Sequence, residues 1–437
     1  MKKFITVLAV LALTLTMASV AMAEVTVSGS VDIRSLELNN YTDFTDKVND
    51  RLRNTQERIR INVDAKNDNV KGRVTFENDW QAWGASVNNT TGGLLSGGTV
   101  GVESRPGEST AANRFGFREA WIDFTIPGAQ PAHVKVGHQF LQLGNGWFFR
   151  SMKYGSDAWL VGLPGKNTIA FVDVKAAENS NTQSDDIDAY VLLDNFKIDD
   201  TKTVGIYFAR VKDSRNLLFS SLGLGAAGTE ANLDNIGLWF NGKLGPVNLQ
   251  AEFDMQMGEA KGAGAVSTSK FKGNQIVVQG NIALAPAAVN FLVARGTGDK
   301  GDSTSPDLKS YVPILDADPH YTVVYEYFAP TACGGLRNTG FCNTTALAVG
   351  GSMEFTKWFT ADLNLFYLKA TEKVFNGAGE LSDEIGNEID LVLKFKLYDQ
   401  LTWNWQLARL MAGKMYDGAV NKADDIDAIQ GILSYKF

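Results

Sequence analysis

Apolar and polar residues alternate with period two along this chain from one end to the other, and that pattern leaves few folds open. The clearest stretch is 247–257. Val247, Leu249, Ala251, Phe253, Met255 and Met257 share one face, and Asn248, Gln250, Glu252, Asp254 and Gln256 share the other. A strand of this kind has one apolar face and one wet one. Similar segments recur at 24–38, 52–66, 69–80, 114–127, 132–144, 168–178, 185–197, 287–296 and 343–356, separated by Gly-, Asn- and Pro-containing breaks. No helical stripe of four turns is present. Beyond residue 23, no apolar run reaches the ~18 residues that a membrane-crossing helix needs.

The chain opens as an export signal. Lys2 and Lys3 form a basic start, Phe4 to Val20 an apolar run, and Ala21-Met22-Ala23 a small-residue cleavage site. The competing reading, a membrane anchor, does not explain the small-x-small ending, and no cysteine follows the site to take a lipid. The expected organisation is a signal peptide at 1–23 and one domain over 24–437. Without Lys2 and Lys3 the formal charge of −8 becomes −10, which argues against a nucleic-acid partner. An exported, all-strand chain without helices points to a barrel in the outer membrane, because lipid admits only structures that satisfy every backbone group internally.

Strand number follows from parity, since turns at one end of such a barrel are short and loops at the other are long. Short turns are expected at 67–68, 127–131, 164–167, 198–201, 244–246, 285–286, 357–359 and 398–400. A loop region is inserted at 297–342. Its Tyr321–Phe328 stretch looks like a strand, but counting it would break the parity, so it is assigned to a folded external loop. The expected fold is an all-β, transmembrane, antiparallel up-and-down β-barrel of about 18 strands. Sixteen is the alternative, if the short strand at 157–163 and its neighbour at 168–178 belong to a loop. Phe124, Phe196, Phe355, Trp358, Phe359, Tyr398, Trp403 and Phe437 fall beside the short turns, where an aromatic girdle belongs. The final stretch, 425–437, places Ile429, Gly431, Leu433, Tyr435 and Phe437 on one face. Such an edge needs pairing, and the strand beginning at Glu24 is the expected partner.

A lumen of this width exceeds what side chains can fill. The candidate pore-lining residues are Arg58, Arg60, Lys71, Arg73, Arg114 and Lys135, interleaved with Asp64, Glu77, Asp79, Glu119 and Asp123. Facing rows of opposite charge set up a transverse field that suits polar or zwitterionic solutes; the plain alternative is that these charges solvate a wet wall. In Asn145–Tyr154, Trp147, Phe148 and Phe149 must pack on something. They either fold into the lumen as a constriction or form an outer aromatic belt, and in both cases Arg150 and Lys153 are candidates for tuning selectivity. Cys333 and Cys342 read as a loop disulfide in an oxidising compartment, against a two-thiolate metal site with no further ligands nearby. No cofactor is expected, since no Cys-x-x-Cys-His occurs. The three histidines, His133, His138 and His320, form no recognisable nucleophile–base pair. An outer-membrane enzyme and a sheath for an electron-transfer or export complex remain as alternatives to a water-filled channel for passive diffusion of small polar solutes and ions. A homotrimer is left open.

The last strand resembles the final strand of bacterial outer-membrane barrels, whose last residue is typically Phe. The segments "VKVGHQFLQLGNGW" (134–147), "YVPILDADPHY" (311–321) and "NEIDLVLKFKLYDQLTW" (387–403) are similar to the alginate-export and related porin families, in which a Gly-Arg-Gln-like strand precedes a Gly-containing loop; His138 stands where Arg is usual. The resemblance implies an eighteen-stranded passive channel in the bilayer of the outer membrane.

Overall fold

The computed structural model describes residues 24–42, 44, 50–83, 116–178, 186–220, 226–264, 266–316 and 318–437. The expected signal peptide and Arg114 lie outside the described residues. Twenty strands form one sheet. Two are two-residue loop pairings, Ser269–Lys270 and Ile314–Leu315. The other eighteen make the closed barrel. They are β1 Glu24–Asn39, β2 Leu52–Lys66, β3 Val70–Ala82, β4 Gly116–Ile126, β5 Ala132–Gln142, β6 Phe149–Leu163, β7 Asn167–Ala177, β8 Ile187–Asp199, β9 Lys202–Asp213, β10 Ala231–Leu244, β11 Val247–Ala260, β12 Asn274–Leu284, β13 Ala287–Gly296, β14 Thr344–Thr356, β15 Phe359–Phe375, β16 Leu381–Lys396, β17 Leu401–Ala412 and β18 Ile426–Lys436.

Each strand pairs antiparallel with its chain neighbours, and β1 also pairs with β18 from Ser30↔Lys436 to Asn39↔Asp427. Short connections follow β2, β4, β6, β8, β10, β12, β14 and β16, all at one rim, as the parity required. The sixteen-strand alternative fails, because β6 and β7 pair from Asp157↔Lys175 to Leu163↔Ile169. Strand β6 starts at Phe149 rather than at 157, so the aromatic segment divides between a turn and a strand. Tyr321–Phe328 forms turns rather than a strand.

Alternation sorts the side chains as water and lipid demand. Phe253, Met255 and Met257 are exposed on the outer face, while Glu252, Asp254 and Gln256 are buried inward. Near the short turns Phe355, Phe359 and Phe395 stack at 5.3 and 4.9 Å, with Trp358 and Trp403 beside Phe395. That row is a girdle.

The seam is drawn tight at Gly29. Its N–H donates to the Phe437 carbonyl at 2.9 Å, and the Phe437 N–H donates back at 3.1 Å. A side chain at Gly29 would meet the Arg60 carbonyl and the Phe437 ring. On β18, Ile429, Tyr435 and Phe437 face outward, while Gln430 is buried inward against Gln406. Gly29→Val should therefore weaken closure, at the ~1–3 kcal/mol typical of overpacking, and Phe437→Ala should do so by removing the ring. Both are read as loss of the compact, heat-modifiable band in cold SDS electrophoresis.

Candidate functional site

The lumen has a charged wall and a wall that holds loops. The charged wall spans β1–β5. Arg58 donates to Asp32 at 2.9 and 3.1 Å, Arg60 pairs with Glu77, and Arg73 donates to Asp64 at 2.6 and 3.2 Å while approaching Glu119 at 3.7 Å. Arg118 lies 3.4 Å from Glu77 and donates to the backbone carbonyls of Met152 and Lys153. Arg34 is buried and donates to Gln56. Trp80 lies 4.3 Å from the guanidinium carbons of both Arg34 and Arg58. Trp121 likewise takes Lys135 at 4.2 Å and Arg73 at 5.9 Å. Aromatic faces attract cations, so these side chains are fixed in place.

The structure thus brings Arg58, Arg60, Asp64, Arg73, Glu77, Glu119 and Lys135 onto one stretch of wall. Asp123 is drawn aside to His133 at 2.8 Å, and Lys71 is exposed near the short-turn rim. A register shift opposite Glu57–Ile59 bulges β3 against β2. Above it Trp80, and not Asp79, is the β3 side chain that meets the arginines. A second shift, between Thr75 and Phe76, bulges β4. Phe117 lies exposed on the outside, whereas Arg118 reaches Glu77 inside. Strict alternation in 114–127 conceals Arg118 for that reason. Asp32 and Arg34 stand on the same inward face, and the alternation of β1 carries that signal.

Opposite, buried carboxylates catch the backbones of two loops. Glu252 of β11 accepts from the N–H groups of Asn145 and Trp147. Its neighbour Asp254 is held by Tyr207, Asn235 and Gln275. Gln256, next on that face, donates to the Val312 carbonyl at 2.7 Å and accepts from the Val312 N–H at 2.9 Å. Glu388 of β16 accepts from Val324 and Tyr325 N–H at 2.6 and 2.8 Å, and Asp390 from Val323 at 3.2 Å. Left unmade, such bonds would orphan buried backbone N–H groups. The 143–148 turn is therefore drawn into the barrel, which is the constriction reading of that segment, and the 297–342 insert, expected as a folded external loop, also reaches inward from its rim. Trp147 and Phe148 are buried there, and Trp147 packs on Phe341 at 4.9 Å. Val324, Tyr325 and Phe328 pack with Leu36, Leu38, Leu368 and Leu410, inward residues from the loop-end halves of the strands.

The two loops meet at Asp316. Its carboxylate accepts from the N–H groups of Met152 and Lys153 at 2.7 and 2.9 Å, and Arg150 approaches it at 3.8 Å. Lys153, with its side chain buried, lies 3.8 Å from Asp318. His320 is clamped between Glu326 at 2.7 Å and Asp316 at 3.2 Å. Burial disfavours the imidazolium, but the Glu326 charge and both carboxylate bonds outweigh it, pushing His320 up to about 9. Burial likewise opposes the Asp316 charge, and the bond to His320 overrides it, holding that carboxyl below its usual range. Cys333 and Cys342 form a disulfide within the insert. Cys333 and Leu336 line an outer cavity of about 740 Å³. Beneath the insert, His320 and Tyr321 roof a second cavity of about 430 Å³ facing the short-turn rim.

No family model and no curated protein matches the chain. Solved structures do match. A BenF-like porin from Pseudomonas fluorescens Pf-5 aligns with TM-score 0.59 at 12% identity, over 96% of this chain and 100% of that one. The outer membrane protein OpdK of Pseudomonas aeruginosa gives 0.54 at 12%, over 94% and 99%, and OccK8 (OprE) of the same organism gives 0.53 at 11%, over 95% and 98%. At these identities the likeness shows the fold.

Two outcomes test the anchoring. Glu388→Ala orphans two backbone N–H groups, at about 1–3 kcal/mol each, and should free the insert, seen as raised and noisier current in planar bilayers and as new protease cleavage near Val324. The folded pKa of His320 lies above the ~6.5 of free imidazole, so its clamp acts in full below that value and is lost as pH rises through about 9. Current noise should rise over that interval in the native protein, whereas His320→Ala should be noisy throughout.

Proposed function

We propose that this chain is an outer-membrane porin: a water-filled channel through which small polar solutes and ions diffuse passively. The observation that carries the reading is a closed barrel, apolar outside, whose lumen is narrowed but not lined with fat by two anchored loops, with a cavity on either side of them. Solutes would pass between the insert and the charged wall of β1–β5. There the paired Arg and carboxylate side chains present a field across the path and only a small net charge along it. Selectivity among ions is accordingly weak. The neighbours in fold are themselves described as porins or outer membrane proteins, and the resemblance to alginate-export and related porins supports the same class without naming a cargo.

An enzyme is disfavoured by how the histidines are used. His133 is engaged by Asp123, and the two ring nitrogens of His138 by Asp157 and the Tyr154 carbonyl. Both nitrogens of His320 are taken by carboxylates. A general base needs one nitrogen at its substrate. A sheath is disfavoured because the insert fills the space that an enclosed protein would require. The bilayer is the barrel's partner. A homotrimer would set three pores side by side, and light scattering of the detergent complex separates it from a monomer.

Purified protein in planar bilayers should give stepwise, long-lived conductance; well-folded protein that conducts nothing would overturn the channel. Arg150→Ala with Lys153→Ala removes two positive charges beside Asp316 and Asp318, so under a salt gradient the reversal potential should move toward cation preference.

A further inference from the structure

The cavity under the insert is lined unlike the rest of the lumen. Cross-strand register sets Asn248 beside Asn281, and Asn281 beside Asn290; one step toward the loops, Asn241 pairs with Gln250 and Gln250 with Gln279. All six line that cavity, and Asn364 of β15 extends the row. Between them β14 contributes Gly350, where any side chain would collide with the Asn364 amide. The glycine is what lets the row continue across β14 without a break. The result is a belt of carboxamides over five strands, with Phe366 and the loop residue Tyr321 as its apolar edge.

The belt carries no charge of its own. Among the described residues, no Asp, Glu, Lys or Arg lines the cavity. His320 above it is turned to Asp316 and Glu326, and of the inward neighbours of the belt Glu252 and Asp390 are occupied by loop backbone and Asp362 by Lys394, while Lys243 stands opposite Asn248. Within the belt, Asn248 donates to Asn281 at 2.9 Å and Gln279 to Gln250 at 2.6 Å. A carboxamide has two N–H donors and an oxygen with two lone pairs, so these bonds use a minor part of its capacity. They also hold the side chains in a fixed order. A hydroxyl both donates and accepts, and a row of alternating amide donors and acceptors matches a row of hydroxyls as no charged wall does. The volume, about 430 Å³, falls within the roughly 300–1,000 Å³ of small-molecule sites.

We infer that the amide belt is a binding subsite for uncharged polyhydroxylated solutes, sugars or polyols, on the short-turn side of the constriction. The inference rests on the porin reading for how the solute arrives, but binding is measurable without it. The experiment is saturation-transfer NMR and calorimetry with sucrose on the full barrel in detergent, with a polyethylene glycol of equal hydrodynamic size as control and conductance recorded from the same preparation. Sucrose should bind saturably, the polymer should not, and the affinity should stay unchanged as salt is raised, since no ion pair is involved. Asn248→Leu with Asn281→Leu should weaken binding at least about tenfold, leaving salt conductance in place. Asn281→Ser, which keeps a polar surface, serves if the double variant does not reach its compact form. Absence of sucrose binding, equal binding of the polymer, an affinity that falls with salt, or full affinity in a folded variant would each overturn the subsite. A preparation that binds sucrose but does not conduct would overturn only the channel.

Discussion

A sheet bathed in lipid can leave no backbone N–H or carbonyl without a partner, and everything else in this protein follows from how that is met. Eighteen strands pair in sequence order and the last returns to the first, with Gly29 and Phe437 exchanging two hydrogen bonds at the seam. Once the ladder is closed, alternation is no longer a local preference but a division of the chain between two solvents. The outward residues need only be apolar. All specificity is pushed inward.

Inside, the same rule applies at smaller scale. Two loops enter the lumen with their own unpaired N–H groups, and the wall answers with buried carboxylates at alternate positions of a strand: Glu252 for the 143–148 turn, and Glu388 with Asp390 for the insert. Acids that would be costly if left alone in such a place become anchors, because each meets backbone N–H donors, two for Glu252, two for Glu388 and one for Asp390. On the opposite wall the acids are spent on arginines instead, as in Asp32–Arg58 and Glu77–Arg60. One residue type therefore does two jobs, set by whether a loop or a guanidinium faces it.

Much of this was legible in the sequence. Period-two alternation, the positions of the short turns and the parity argument led to eighteen strands and to the correct rim for all eight turns. The row Glu252, Asp254, Gln256 on one face of β11 was equally plain. What alternation could not disclose is where it is broken. The bulges opposite Glu57 and at Thr75 turn Trp80 and Arg118 into the lumen. Nor could it say which way the insert folds, though a signal was there. Leu36, Leu38, Val172 and Val174 are apolar at inward positions near the loop ends of their strands, where an open wet lumen would have polar residues. Apolar residues on both faces of a barrel strand mean that something dry lies inside.

The insert also has a neck. The Asn343 N–H donates to the Thr297 carbonyl at 3.0 Å, one residue beyond the end of β13 and one before the start of β14, and those two strands pair from Arg295↔Thr345 downward regardless of what lies between. The larger of the two loops in the lumen is thus carried on a cassette whose two ends already touch. Insertion, deletion or exchange of that cassette would change the bore without asking the barrel to refold, because the β13–β14 ladder is complete without it.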